Sequence, residues 1–159
     1  MNRVRPVIIQ EDTFKRMVDH AERSYPYECC GVVLGIGPEE QLRPIRNIQN
    51  EKHAESPEEF PRDARTAYLM HPADFRAALE EAATRKLPLS VIYHSHPDHD
   101  AYFSPTDRAA ACLFDPNEAD YPDTAQIVIS VKSGRFADAA AFVWDPIVKD
   151  FVRTELIRR

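Results

Sequence analysis

Residues 87–107 read LPLSVIYHSHPDHDAYFSPTD, an apolar run that passes without a break into a segment holding three of the chain's six histidines. The run over 89–94 has the β-branched and aromatic content of a strand bounded by a proline and a polar loop. Side chains alternate along a strand, so His94 and His96, at i and i+2, leave the same face where the strand frays into the loop. Pro97 lacks an N–H and helps to end it. Ser104-Pro105-Thr106-Asp107 then carries the marks of a helix start: serine at the N-cap, proline in the first helical position and an acid three residues after the cap. Standing alone, that tetrapeptide is simply a cap. Beside a histidine pair, the same helix start brings the Asp107 carboxylate within reach of a shared ion.

Two histidines and one carboxylate are a set typical of catalytic zinc, which keeps a further position for water. A proton shuttle that is not itself a ligand is also needed, and Glu28 is the candidate because it stands at the mouth of the apolar strand CCGVVLGI. The bland alternative for Glu28 is an ordinary loop carboxylate. His99, Asp98 and Asp100 lie between the ligands and read as solvated or substrate-facing. His20 and His71 read as surface or capping residues, and His53 is uninformative. Cys29, Cys30 and Cys112 read as packing groups, and Phe142 and Trp144 as core or edge residues of an alternating strand.

Outward from this segment, the pattern predicts strands over 6–10, 29–36, 43–48, 68–70 and 89–94, then over 125–131, 139–144 and 148–156. Helices are predicted over 12–24, with Phe14, Met17, Val18 and Ala21 at helical spacing, over 72–86, with Phe75, Ala78, Leu79 and Ala82 inward, and over 104–114. The stretch 47–65 has no periodicity and reads as a long loop, either a clamp on substrate or a tolerated insertion. The order of elements gives an α/β or α+β class with one mixed sheet. A length of 159 residues suits one domain over 1–159.

The net charge of −6 argues against nonspecific binding to nucleic acid or anionic membranes; only Arg3/Arg5 and Arg158-Arg159 are even mildly clustered bases. The opening MNRVRPVIIQED is too short in apolar content for a signal peptide or membrane span. Three cysteines make no disulfide framework, and with no CxxC pair a four-thiolate zinc site is excluded. A cytoplasmic protein is the expectation.

His94-Ser95-His96-Pro97, six residues, Ser104-Pro105-Thr106-Asp107, with Glu28-Cys29-Cys30-Gly31 upstream, resembles the motif of the JAMM (MPN-plus) zinc metalloproteases, and in size and loop most resembles their stand-alone bacterial branch. The resemblance implies a twisted mixed sheet flanked by helices, similar to cytidine deaminases. It implies His94, His96 and Asp107 as ligands to Zn2+, Glu28 as the acid/base, and Ser104 as a hydrogen-bond donor to the water or the oxyanion. It further implies hydrolysis of the peptide or isopeptide bond after the Gly-Gly tail of a ubiquitin-like or small sulfur-carrier protein. A homodimer is compatible with this reading. Three rivals are weighed against it. A zinc base deaminase needs His-x-Glu and Pro-Cys-x-x-Cys, and the sequence has neither. A non-catalytic scaffold of the same fold typically lacks the ligands that this sequence keeps, and a protein-interaction module that binds zinc is the alternative reading. A DNA-repair relative fits poorly with the acidic charge.

Overall fold

The strand β4 (Leu89–Pro97) runs through the middle of the molecule and is buried from Val91 to Pro97. In this computed structural model, which describes residues 4–159, it lies between β2 (Cys30–Leu34), antiparallel to it, and β5 (Ala125–Lys132), parallel to it. Arg3, one half of the Arg3/Arg5 pair, lies outside the described residues. The strands β3 (Gln41–Ile45), β6 (Arg135–Asp145) and β7 (Asp150–Thr154) complete a six-stranded mixed sheet in the order β3-β2-β4-β5-β6-β7. The class is α+β, as expected.

Alternation along β4 divides the core. Val91 and Tyr93 face one side of the sheet, where α1 (Glu11–Ser24) lays Phe14, Met17 and Ala21 against Val33, Ile127 and Ile129. Ile92 faces the other side, where Ala78 and Ala82 of α3 (Pro72–Arg85) pack on Cys30, Val32 and Leu34. On that second side a third cluster, around Val128, Phe142 and Phe151, takes in Cys112 at the end of α4 (Pro105–Ala111). His94 and His96 share the parity of Ile92. They therefore emerge between the region under α3 and the region under α4.

Tyr93 crosses Gly31, its register partner in β2. A Cβ built on Gly31 would stand 2.4 Å from the Tyr93 hydroxyl oxygen. The hydroxyl reaches His20 Nδ1 at 2.8 Å, so this half-buried histidine, read from the sequence as a surface or capping residue, is a hydrogen-bonding partner of the buried tyrosine. His71 caps α3 as expected, its Nδ1 accepting from Asp74 N at 3.4 Å.

Several boundaries differ from the sequence reading. Leu79, expected inward, is half-buried and stands outside the packed cluster, because α3 approaches the sheet on its small alanines. The expected loop over 47–65 contains a short helix, α2 (Gln49–Glu55). It has no apolar stripe and is held instead by polar anchors: Gln49 N donates to Asn47 Oδ1 at 3.0 Å, Gln49 Nε2 to Arg62 O at 2.9 Å, and Ala64 N to Asn50 Oδ1 at 2.8 Å. The strand expected over 68–70 is reduced to an isolated bridge between Met70 and Asn47. The last expected strand splits in two: β7 pairs with β6, while β8 (Leu156–Arg158) turns away to pair in parallel with β1 (Val7–Ile9). That two-stranded ribbon is an addition to the expected sheet. Among the described residues no helix is long and apolar enough to cross a membrane.

Candidate metal centre and active site

The two histidines are fixed by the strand that carries them. β4 continues three residues beyond its expected end because Ser95, His96 and Pro97 pair with Ile129, Ser130 and Val131 of β5. His94 Nε2 and His96 Nε2 stand 3.2 Å apart. The Asp107 carboxylate closes the triangle, Oδ1 at 3.2 Å from His94 Nε2 and Oδ2 at 3.2 Å from His96 Nε2. All three residues are buried.

Asp107 is delivered by the start of α4. Ser104 is the N-cap of a complete capping box: its Oγ accepts from Asp107 N at 3.0 Å, and its own N donates to Asp107 Oδ2 at 2.9 Å. Burial alone would raise the Asp107 carboxyl, but the adjacent imidazoles of His94 and His96 and the Ser104 N–H outweigh it and hold the group well below the usual carboxylate range. The residue stays ionised.

The donor set can be tested for a metal from its own chemistry. His96 Nδ1 lies 2.9 Å from the carbonyl oxygen of Asp100; only an N–H can bond a carbonyl, so the proton sits on Nδ1 and Nε2 presents a lone pair. With the neutral ring of His96 in that tautomer, its Nε2 lone pair and the Asp107 carboxylate face one another beside His94 Nε2 in a buried space, an arrangement that a cation relieves. Zinc–ligand bonds of roughly 2.0–2.1 Å in tetrahedral geometry put neighbouring donor atoms about 3.3 Å apart, close to the 3.2 Å sides observed. The cluster can bind a metal. The ring of Tyr68 stacks on His94 with centroids 4.7 Å apart, and His94 Nδ1 has no protein partner.

Glu28 is buried, at 5% exposure. Its Oε1 has no hydrogen-bond partner within the protein. Burial, reinforced by the negative charge of Asp107 and opposed by Arg62, pushes its carboxyl up to about 9. The backbone around it is anchored on every side: Glu28 N donates to Ala64 O at 2.7 Å, Asn47 Nδ2 donates to Glu28 O at 2.9 Å, and Cys29 N donates to Ser95 Oγ at 2.8 Å. Glu28, His96 and Ser104 line one open cleft of about 180 Å³. A larger cavity of about 610 Å³ reaches Glu28 but none of His94, His96 and Asp107.

The sequence reading missed Ser95, Asn47 and Tyr68. Ser95 had a signal, since a small polar residue between two ligands of a buried strand must face the opposite side and find a partner there. Asn47 and Tyr68 had none: Asn47 opens the stretch without periodicity, and Tyr68 begins a three-residue run too short to show which way its ring faces. Asp98 and Asp100 serve the loop and not the cluster: Asp98 accepts from the Tyr25 hydroxyl at 2.6 Å and from Ser133 N at 2.9 Å, and Asp100 pairs with Lys132 at 2.6 Å. His99 lines the cleft, with Nδ1 at 2.8 Å from Pro97 O. Cys29 and Cys30 are fully packed and their thiols are raised by burial, Cys29 to about 12, which makes them inert.

Comparison with known proteins agrees with this geometry. The chain is 37% identical over 126 residues, 79% of its length and 74% of the relative's, to the CysO-cysteine peptidase of Mycobacterium tuberculosis (strain ATCC 25618 / H37Rv). Its fold is similar to solution structures of a protein from Desulfitobacterium hafniense (TM-score 0.68, 19% identity, 98% of this chain and 93% of that one) and of a protein from Salinibacter ruber (TM-score 0.59, 23% identity, 96% and 91%). The family described as prokaryotic homologs of the JAB domain matches residues 10–136, in line with the resemblance carried by the histidine and aspartate motif. By that match and by its relative, the chain belongs to the prokaryotic homologs of the JAB domain.

Proposed function

We propose that this protein is a zinc-dependent peptidase that hydrolyses the peptide or isopeptide bond following the Gly-Gly tail of a small sulfur-carrier or ubiquitin-like protein. The whole chain acts as one catalytic domain in this reading, in the cytoplasm. The observation that carries it is the buried triangle of His94, His96 and Asp107 with an unpartnered Glu28 oxygen in the adjoining cleft. The name of the Mycobacterium tuberculosis relative, a CysO-cysteine peptidase, supports the choice of carrier. His94, His96 and Asp107 would hold the metal. When bound, zinc supplies Lewis acidity, polarising a carbonyl and making water nucleophilic near neutral pH.

The remaining work falls to the protein. Glu28 takes the proton from the attacking water and passes it to the leaving amine, a role that a buried carboxyl with a raised proton affinity performs well. A cation in the triangle draws that affinity back down toward neutral pH. The Ser104 oxygen accepts from Asp107 N, which leaves its hydroxyl hydrogen free to donate to the negative charge developing on the carbonyl oxygen. Ser95 and Asn47 hold the backbone on both sides of Glu28, and so fix its distance from the reacting atoms.

The test uses metal-replete protein and a small carrier with a blocked Gly-Gly end. Glu28→Gln is expected to keep a full complement of metal by elemental analysis and to lose roughly 10²–10⁴ in turnover. Unchanged turnover removes Glu28 from the reaction. A wild-type protein that binds metal and hydrolyses no carrier conjugate points instead to a zinc-binding scaffold.

A further inference from the structure

The cleft beside the centre contains a charge that the reaction just described does not use. Its walls are formed by Glu28, Thr66, His96, Ser104 and Arg62, among others, and Arg62 is the one permanent cation among them. Arg43 pairs with Glu81, Arg46 with Asp74, Arg108 with Asp150 and Arg158 with Glu11. Arg62, like several other exposed arginines of the chain, has no such partner, but it alone of these lines the cleft. Among the described residues it has no carboxylate within ion-pair distance and its guanidinium donates no hydrogen bond, although its field is felt at Glu28.

Its backbone, by contrast, is held. Gln49 Nε2 binds the Arg62 carbonyl oxygen at 2.9 Å, and Asn50 Oδ1 fixes Ala64 N two residues on at 2.8 Å. The polar anchors of α2 thus present an unpaired guanidinium beside the acid/base. An unpaired arginine of that kind, on a fixed segment in a cleft, suits a planar anion bound through two parallel hydrogen bonds.

Resting on the peptidase reading above, in which the relative's name points to a carrier joined to a single amino acid, we propose that Arg62 binds the free α-carboxylate of that leaving amino acid. In a terminal residue the carboxylate carbon is two bonds from the leaving nitrogen that Glu28 would protonate, and Glu28 and Arg62 line the same cleft. An internal peptide bond has no charge there, and an isopeptide-linked lysine carries its own carboxylate several bonds away. The volume agrees: about 180 Å³ is below the roughly 300–1,000 Å³ of clefts that enclose drug-sized ligands, and suits one small residue. In the step itself the amide C–N bond breaks, a C–O bond forms from water, one water proton reaches the amine, and the carboxylate leaves unchanged. Arg62 is then a specificity-determining residue that separates exo-acting from isopeptide cleavage.

The experiment compares carrier proteins ending in Gly-Gly-Ala as free acid, as C-terminal amide, and as the lysine isopeptide, in two readouts. In the first, kcat/KM of metal-replete wild type is expected to favour the free acid over the amide by roughly tenfold or more. Arg62→Ala brings that ratio close to one, and Arg62→Lys, a point charge without the fork, restores part of it. In the second, the Kd of the uncleaved conjugates on metal-loaded Glu28→Gln protein is measured by calorimetry, with and without Arg62→Ala. Acid-selective binding that Arg62→Ala abolishes, without any wild-type turnover, upholds the carboxylate subsite and overturns the peptidase reading. Equal treatment of acid and amide by wild type overturns the subsite and leaves the peptidase reading standing, as does an Arg62→Ala variant that loses both substrates in equal proportion.

Discussion

At the scale of single residues, Glu28 has the environment that chemistry requires and stability does not. Its raised carboxyl has a measurable signature in metal-free protein. The folded state favours the neutral acid, so this contribution to stability is complete below the ordinary glutamate range and is lost as the pH climbs through about 9. Glu28→Gln is neutral at every pH and nearly the same shape. The unfolding midpoint of the metal-free variant is therefore expected to gain on that of wild type between about pH 5 and about pH 9, by an amount that grows with pH. A difference that stays constant across that range contradicts the burial of Glu28. Ser95 and Asn47 act at the same scale through the backbone, and their hydrogen bonds span 66 and 19 positions of sequence. Contacts that long leave no local pattern, which is why the cluster of His94, His96 and Asp107 could be read from spacing, Ser95 only through its parity on the strand, and Asn47 not at all.

At the scale of elements, the packing of β2 on β4 depends on one missing side chain. The Tyr93 ring occupies the space above Gly31, with its nearest atoms 2.4–2.5 Å from where a Cβ would stand. Gly31→Ala must push aside a fully buried ring and its hydrogen bond to His20. It is expected to cost about 1–3 kcal/mol in chemical denaturation; a loss below a few tenths contradicts the tight crossing. What the sequence revealed at this scale follows the same physics. β4, α1 and the cap of α4 were legible because alternation, helical spacing and cap chemistry are local. α2 was not, since a helix without an apolar stripe is stabilised by its anchors. Nor was the split between β7 and β8, because the run over 148–156 has no turn residue at the break, Glu155, and only its partners, β6 and β1, divide it.

At the scale of the molecule, the centre joins parts that are far apart in sequence. It ties the end of β4 to the start of α4, with Tyr68 stacked on His94 from the segment before α3. A ligand that binds only the folded state stabilises it, by about 2.7 kcal/mol at a free concentration one hundred times its Kd. Chelation of metal-replete protein is accordingly expected to lower its Tm by roughly 5–10 °C. His96→Ala is expected to hold no metal and to show no such response. A chelator-sensitive His96→Ala protein removes this histidine from the ligand set.

The Asp107 carboxylate serves two purposes: Oδ2 accepts the Ser104 N–H that opens the helix and also faces His96, while Oδ1 faces His94. Asparagine at 107 could still satisfy the first duty, having an oxygen for the N–H, while forfeiting the negative charge behind the second. Shape and reactivity are thus separable by the exchange of one atom. On the peptidase reading, a descendant carrying that exchange would keep its architecture while its chemistry fell silent, ready to be recruited for recognition alone.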